Sequence, residues 1–400
     1  MPLGIYISIP FCKSKCSYCN FSTGVVSRAI YSRYVDRICA DIAASQHTAA
    51  AMGGQFERQV DTIYLGGGTP TILEPADLER IFSALRREFE VDPQAEITVE
   101  CAPGTLTPAL LTALLHCGVN RVSLGVQSWV DAEAAAVGRL HTRTKVLEDI
   151  ALLRSAGIEN INVDLIAGLP HQTVDSWEYS VSETIGSGVP HVSVYMLEVD
   201  QDSRLGRELM AGGRKYHAHF VPEDDLSADF YVAACERLER AGVFQYEISN
   251  FARGGRESRH NLKYWERQPY FGFGVDAHSM LLASTDGLSK NADRVAVRFA
   301  GADELNPFLE NAPLSQTEVS RQAALEEAYF LGLRLTHGIN LRELANEFGP
   351  TSVEEVSGTI EELSKDGLVQ RIGDSLRLTM RGRMVSNEVF QKFLAVEAKQ

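Results

Sequence analysis

The chain reads as an α/β protein, a parallel sheet wound with helices and followed by a smaller α+β unit. Three observations predict this. Up to about residue 200, short β-branched runs alternate with longer amphipathic stretches; six such units occur; and from about Gln316 the pattern changes to helices closed by a hairpin. Near-continuous apolar strands between helices predict a parallel sheet covered on its outer side. Six units suggest an incomplete (β/α)6 barrel, and the pattern alone leaves an open doubly wound sheet as the alternative.

The strands are expected at Ile5–Ile9, Thr62–Leu65, Glu96–Cys101, Arg121–Val126, Asn160–Ile166 and His191–Leu197. Helical periodicity falls between them at Ala76–Phe89, Pro108–His116, Lys145–Ala156 and Ser176–Ile185. Ala43–Gln59, rich in Ala, Gly and Gln, reads as a helix end running into a mobile loop. Arg207–Asp225 reads as a polar loop, Ser227–Ala241 as a helix and Phe244–Asn250 as a strand. Helices near Glu318–Leu335, Leu341–Phe348 and Val353–Asp366 then precede a hairpin of Gly367–Ile372 and Ser375–Thr379 turning at Gly373-Asp374. Three helices and a hairpin resemble a winged helix. The expected division is therefore 1–205, 206–315 and 316–400.

Composition excludes several classes of function. A net charge of −15 over 400 residues argues against a nucleic-acid or anionic-membrane surface as the main partner. The winged-helix-like unit carries ten basic against thirteen acidic side chains, which argues against DNA reading. No apolar run approaches the ~18–20 residues of a membrane span, and the first residues lack a basic n-region. Seven cysteines, three of them bunched, do not read as a disulfide framework and fit a reducing cytoplasm.

The bunched cysteines carry the chemistry. Cys12, Cys16 and Cys19 are spaced C-x3-C-x2-C. Three clustered thiolates suit an iron–sulfur cluster, and a 4Fe–4S cube held by three of them keeps one iron open. The spacing is poor for zinc, and no fourth Cys or His follows closely. Gly66-Gly67-Gly68-Thr69-Pro70 follows the second strand and lacks the Gly-Lys-Ser/Thr of a P-loop; its glycines allow a sharp turn and close approach to a ligand. Glu100 and Gln127 end strands three and four, Arg139 follows soon after, and Asp164 lies in strand five. In a parallel barrel these positions converge on one mouth, and polar groups in apolar strands are costly unless paired or used.

The segments IPFCKSKCSYCNF, YLGGGTPT, ITVECAP, VSLGVQS, VGRLHT and NVDLIAGLPHQT resemble the oxygen-independent coproporphyrinogen III oxidase-like branch of the radical SAM superfamily. The resemblance runs over nearly the whole chain and implies a three-quarter barrel of six units. It implies a 4Fe–4S cluster on Cys12, Cys16 and Cys19, with S-adenosylmethionine at the open iron. Tyr6, Tyr18, Gly67, Gly68, Thr69, Glu100, Gln127, Arg139, Asp164 and Met196 stand where that branch contacts S-adenosylmethionine.

The branch holds a decarboxylating dehydrogenase and a HemW-type haem chaperone. Three features favour the chaperone: His260-Asn261-Leu262-Lys263-Tyr264-Trp265 matches its His-Asn-x-x-Tyr-Trp pattern, Phe21 stands where the dehydrogenase loop has another cysteine, and the chain begins almost at the cluster strand. An imidazole beside aromatics suits haem, so His260 is the expected axial ligand and His278 the second candidate. The implied partners are haem and haem-accepting apoproteins, including membrane-bound respiratory proteins; a homodimer is allowed. Cys39, Cys117 and Cys235 read as buried small hydrophobes, Cys101 lies beside the Glu100 site, and Tyr329, Phe330 and Leu333 read as helical core.

Overall fold

In the computed structural model, which describes residues 1–284 and 293–394, the six expected strands are present and run parallel. They are β1 (Leu3–Ile9), β2 (Gln59–Gly67), β3 (Glu90–Cys101), β4 (Arg121–Gln127), β5 (Asn160–Ala167) and β6 (His191–Met196). Their spatial order is their chain order. A doubly wound sheet reverses direction part-way, so this order selects the barrel-type winding. Among the described residues the sheet does not close. Beyond β6 it continues through the short strands β7 (Phe244–Gln245) and β8 (Asn250–Ala252), with β8 antiparallel to β6. Beyond β1 lie β9 (Tyr270–Phe273), parallel to it, then β10 (His278–Leu282), β11 (Arg294–Ala300) and β12 (Ser315–Ser320), all antiparallel.

The strands alternate, which the continuous-apolar reading overlooked. Ile5, Ile7 and Ile9, Ile63 and Leu65, Ile97 and Val99, Val122 and Leu124, Val163 and Leu165, and Val192 and Val194 are buried in the main core with the outer helices. The intervening residues are polar, and the register sets them in rows. Glu100 pairs with Ser123, Ser123 with Asn162 and Asn162 with His191. Successive side chains face opposite sides of a sheet, so the barrel has an apolar outer face and a polar lumen.

Four boundaries differ from expectation. Ser45–Ala51 is a second helix where a loop was expected, and the following turn is pinned by Gln55 N–H to Leu282 O. Arg204–Ala211 is a helix and Ala218–Phe220 a 3-10 turn within the stretch read as loop. Phe244–Asn250 is the start of a tight hairpin rather than one strand. The helix expected near Glu318–Leu335 begins at Arg321, because Ser315–Ser320 pairs with β11 and belongs to the large sheet.

The C-terminal unit packs helices Arg321–Gly332, Leu341–Phe348 and Ser357–Lys365 on a three-stranded sheet. That sheet is β13 (Ile339–Asn340), β14 (Val369–Ile372) and β15 (Ser375–Leu378), with β15 central. Tyr329, Leu333, Leu344, Ile360, Leu376 and Phe390 form its own core. Among the described residues no helix is long and apolar enough to cross a membrane.

One hydroxyl ties β1 to the chain that leaves its neighbour β9. Tyr34, fully buried, donates to Ser8 O on β1 at 2.7 Å and accepts from Val275 N–H beyond β9 at 3.0 Å. Tyr34→Phe would keep the packing and orphan both backbone groups. Urea unfolding should show a loss of about 1–3 kcal/mol; an unchanged midpoint would mean that water replaces the hydroxyl.

Candidate functional site

The cysteines sit on a loop that the backbone closes on itself. After β1, Phe11 is buried against Tyr31 at 4.2 Å between ring centroids. Cys12 N–H then bonds Gly24 O and Gly24 N–H bonds Pro10 O. Lys15 Nζ donates to Phe21 O and Thr23 O across the loop. Each thiol meets a polar neighbour: Thr69 Oγ1 is 3.9 Å from Cys12 Sγ, Arg139 Nη1 is 3.5 Å from Cys16 Sγ, and Thr23 Oγ1 is 3.7 Å from Cys19 Sγ. All seven cysteines are free. Among the described residues no three His, Cys, Asp or Glu side chains form a site for a single metal ion.

The glycine turn after β2 lies directly against this loop. Gly68 N–H donates to Ile9 O and Thr69 N–H to Phe11 O, both at 2.8 Å. A Cβ on Gly68 would stand 2.6 Å from Phe11 O and 2.8 Å from Ile9 O, so only glycine permits the approach. Gly67 has φ 99°, a left-handed conformation. Its N–H donates to Glu100 Oε2 at 3.1 Å, and Tyr64 Oη donates to Glu100 Oε1 at 2.9 Å.

Two half-buried carboxylates share the upper lumen. Asp164 accepts from Ser123 Oγ at 3.1 Å and from Asn162 Nδ2 at 2.7 Å. Burial raises its pKa while these bonds and Arg139 oppose the rise. Glu100 is pushed up to about 7, first by burial and then by the charge of Asp164. The guanidinium of Arg139 bonds Gly125 O and reaches Cys16, yet its buried Nε, like Ser17 Oγ, finds no hydrogen-bond partner among the described residues. Gln127, at φ 69°, and Tyr18 lie near this end, and Met196 is an exposed rim residue. Half-open space of about 430 Å³ adjoins Lys13, Cys16, Thr69, Arg139, His141 and Lys145. A polar cavity of about 50 Å³ lies in the lumen among Tyr64, Glu100, Asn162, Asp164 and His191.

Below the carboxylates the lumen is plugged. The helix Arg259–Trp265 places its N-terminus on Glu96 of β3, whose carboxylate accepts from Arg259 N–H and His260 N–H at 3.2 and 3.0 Å. A carboxylate suits a helix N-terminus, where backbone N–H groups are free. His260 points into the lumen, with Nδ1 2.9 Å from Thr62 Oγ1 and Nε2 2.9 Å from Tyr264 Oη. It is 1% exposed and stacks on Tyr64. In this arrangement His260 is not available as an iron ligand, because both nitrogens are committed and the ring is enclosed. Trp265 lies under the Arg334 guanidinium at 4.4 Å, joining the plug to the C-terminal unit. The second candidate, His278, is exposed at the start of β10 with Nε2 3.6 Å from Asp276 Oδ1.

The expected glycines, Glu100, Asp164 and Arg139 thus share the cysteine end of the lumen, whereas His260 lies at the opposite end. Tyr64, Glu96, Asn162, Ser123 and His191 were missed. Their signal was the period-2 alternation of polar residues along the strands.

Three thiols and a glycine turn at the C-terminal ends of a chain-ordered parallel sheet define a radical SAM protein. Residues 6–183 match the Radical SAM superfamily and residues 319–385 the HemN C-terminal domain. "Heme chaperone HemW" of Bacillus subtilis (strain 168) is 32% identical over 395 residues, covering 97% of this chain and 98% of the relative. "Heme chaperone HemW" of Escherichia coli (strain K12) is 28% identical, covering 98% of each. The structure of coproporphyrinogen III oxidase (HemN) from Escherichia coli superposes with a TM-score of 0.81 at 22% identity, over 98% of this chain and 90% of that one; at that identity it shows the shared fold. The chain belongs to the HemW haem chaperone family.

The plug generates a pH prediction. Burial, and then Lys263, push the His260 pKa down to about 3 from 6.5. Below pH 6.5 the unfolded chain binds a proton that the folded ring refuses, so stability is lost as pH falls from there toward 3, by about 1.4 kcal/mol per pH unit. Urea titrations across this range should show the slope, and His260→Gln should make it shallower by about that amount, the buried His141 and His191 contributing in the same direction. Equal slopes would mean that the ring becomes solvated before it titrates.

Proposed function

We propose that this chain is a cytoplasmic haem carrier, which binds haem and delivers it to acceptor haem proteins, membrane-bound respiratory proteins among them. The observation that carries the reading is the end-to-end similarity to HemW relatives, together with Phe21 in place of a further loop cysteine. Phe21 is 64% exposed at the tip of the cluster loop, a position open to a partner surface.

In this reading Cys12, Cys16 and Cys19 hold the 4Fe–4S cluster. The fit rests on three free thiols in one short loop, with the Arg139 guanidinium beside Cys16 and its Nε and Ser17 Oγ without partners among the described residues. S-adenosylmethionine lies along Tyr6, Tyr18, Gly67, Gly68, Thr69, Glu100, Gln127, Arg139, Asp164 and Met196. A bound cluster with this nucleoside supplies one-electron chemistry at the open iron. The protein's own contribution is orientation and charge. The turn at Gly67–Thr69 brings backbone close to the ligand, Glu100 and Asp164 present carboxylates to its ammonium and ribose, and Arg139 offsets negative charge at the thiolates. The three-part division is part of the proposal, with its last boundary after Ser320, where β12 leaves the large sheet.

Haem titration of the anaerobically reconstituted chain, followed by Soret absorbance, should show saturable one-to-one binding and transfer to an apo-haem protein. Coproporphyrinogen III should yield no protoporphyrinogen. Absence of saturable binding, or turnover of the porphyrinogen, overturns the reading.

Glu100 supplies a second check. An ammonium pairs with the ionised carboxylate, which forms as pH rises through about 7, so S-adenosylmethionine binding should strengthen over that interval. Glu100→Gln should bind more weakly and lose that part of the pH dependence. A parallel profile in the variant would remove Glu100 from the ammonium site.

A further inference from the structure

Two histidines outside the lumen meet in a way that the radical SAM site does not use. His171 follows β5 and His217 precedes the 3-10 turn Ala218–Phe220; His171 Nε2 and His217 Nδ1 are 3.0 Å apart. Both residues have left-handed backbone, at φ 68° and 62°. Such conformations are uncommon for residues other than glycine and persist where the surroundings impose them.

The surroundings do impose them. Gln172, 4% exposed, accepts from Gly168 N–H and Leu169 N–H and donates to Ile166 O, which fixes the loop on one side of His171. Glu208, 7% exposed on the helix Arg204–Ala211, accepts from Tyr216 N–H and Ala218 N–H, the residues either side of His217. His171 N–H bonds Phe220 O, and the Phe220 ring stacks on His171 at 4.2 Å. Two loops from different parts of the chain are thus locked so that one imidazole faces the other.

We infer that His217 is the axial ligand of the haem iron through Nε2, with His171 as its positioning residue. This rests on the haem-carrier reading above. The bond to His171 fixes Nδ1 of His217, and Nε2 makes no hydrogen bond to the described residues. When His217 Nδ1 donates its proton to His171 Nε2, the lone pair lies on His217 Nε2. Iron-bound imidazoles are arranged in this manner, the far N–H given to an acceptor that fixes the tautomer and raises ligand basicity. His260 and His191 lack a free nitrogen, since both of their ring nitrogens are bonded within the lumen.

The surface beside His217 suits a flat apolar ring bearing two carboxylates. Leu209, Met210 and Phe220 are 48%, 70% and 57% exposed, a concentration of bare apolar side chains that calls for a ligand. Arg207, Arg214 and Lys215 stand exposed in the same segment, available to the propionates. No existing cavity is needed, because a haem can lie on this surface with its iron over the imidazole.

The test is a set of anaerobic haem titrations on the cluster-reconstituted full chain, wild type against His217→Ala, His171→Ala and His278→Ala. His217→Ala should lose at least about tenfold in affinity and shift the Soret band, and added imidazole should restore the wild-type spectrum. His171→Ala should weaken binding about tenfold and lower the iron–histidine stretching frequency in resonance Raman spectra, which a purely structural loss would not do. His278→Ala should bind as wild type does. Unchanged binding and spectrum in His217→Ala, loss in His278→Ala instead, or equally tight wild-type binding of iron-free protoporphyrin would each overturn the assignment while leaving the carrier reading intact. A wild type that binds no haem overturns the carrier reading and this inference with it.

Discussion

Taking the lumen-facing side chains of β2 to β6 out of water leaves every one of them in need of a partner, and the interior is organised around that requirement. Asn162 alone serves Ser123, Asp164, Ser193 and His191. At the base, Glu96 is satisfied by backbone N–H groups of the helix Arg259–Trp265, and it is this demand that seats the helix. His260 of the plug stacks on Tyr64, whose hydroxyl donates to Glu100, and Glu100 in turn accepts from the amide of Gly67. The glycine turn at the mouth is thus linked to the plug by one ring contact and two hydrogen bonds.

This gives the His-Asn-x-x-Tyr-Trp sequence a structural role. His260 completes the lumen, Tyr264 bonds His260 and packs on Tyr270, and Trp265 lies beneath Arg334. The residues serve three different surfaces, one for each neighbouring part of the fold. A carrier reading does not require the iron to reach them, and the rim, with its free imidazole nitrogen and bare apolar side chains, is open to a ring of haem's size.

Most of the barrel was legible in the sequence because β-branched runs and helical periodicity report local structure. The helix Pro108–His116 was placed to the residue. The three cysteines and the glycine turn were legible for a related reason: their chemistry is concentrated within a few consecutive positions. What failed depended on distant partners. Ser315–Ser320 has few apolar residues and becomes a strand only because β11 offers an edge. The helix Arg204–Ala211 carries only a Ser203 cap as a local signal and is tied down by Leu205 N–H to Ser17 O, a contact with no counterpart in local pattern. His260 was singled out by its His-Asn-x-x-Tyr-Trp context, whereas its spatial neighbours Thr62, Tyr64 and Glu96 come from distant strands that local pattern does not report.

The pairing of β1 with β9 has a consequence for how the chain is made. Residues 4–7 leave one edge of β1 open until residues 270–273 are available to cover it. At ribosomal rates of ~5–20 residues per second, that interval is roughly 15–50 s. Throughout it the nascent barrel presents an apolar strand, Leu-Gly-Ile-Tyr-Ile-Ser-Ile, with unpaired backbone groups along one side. The loop that carries Cys12, Cys16 and Cys19 is thus the continuation of the strand that waits longest for its neighbour. Protection of this edge during synthesis, rather than the stability of the finished sheet, sets the hazard of misassembly.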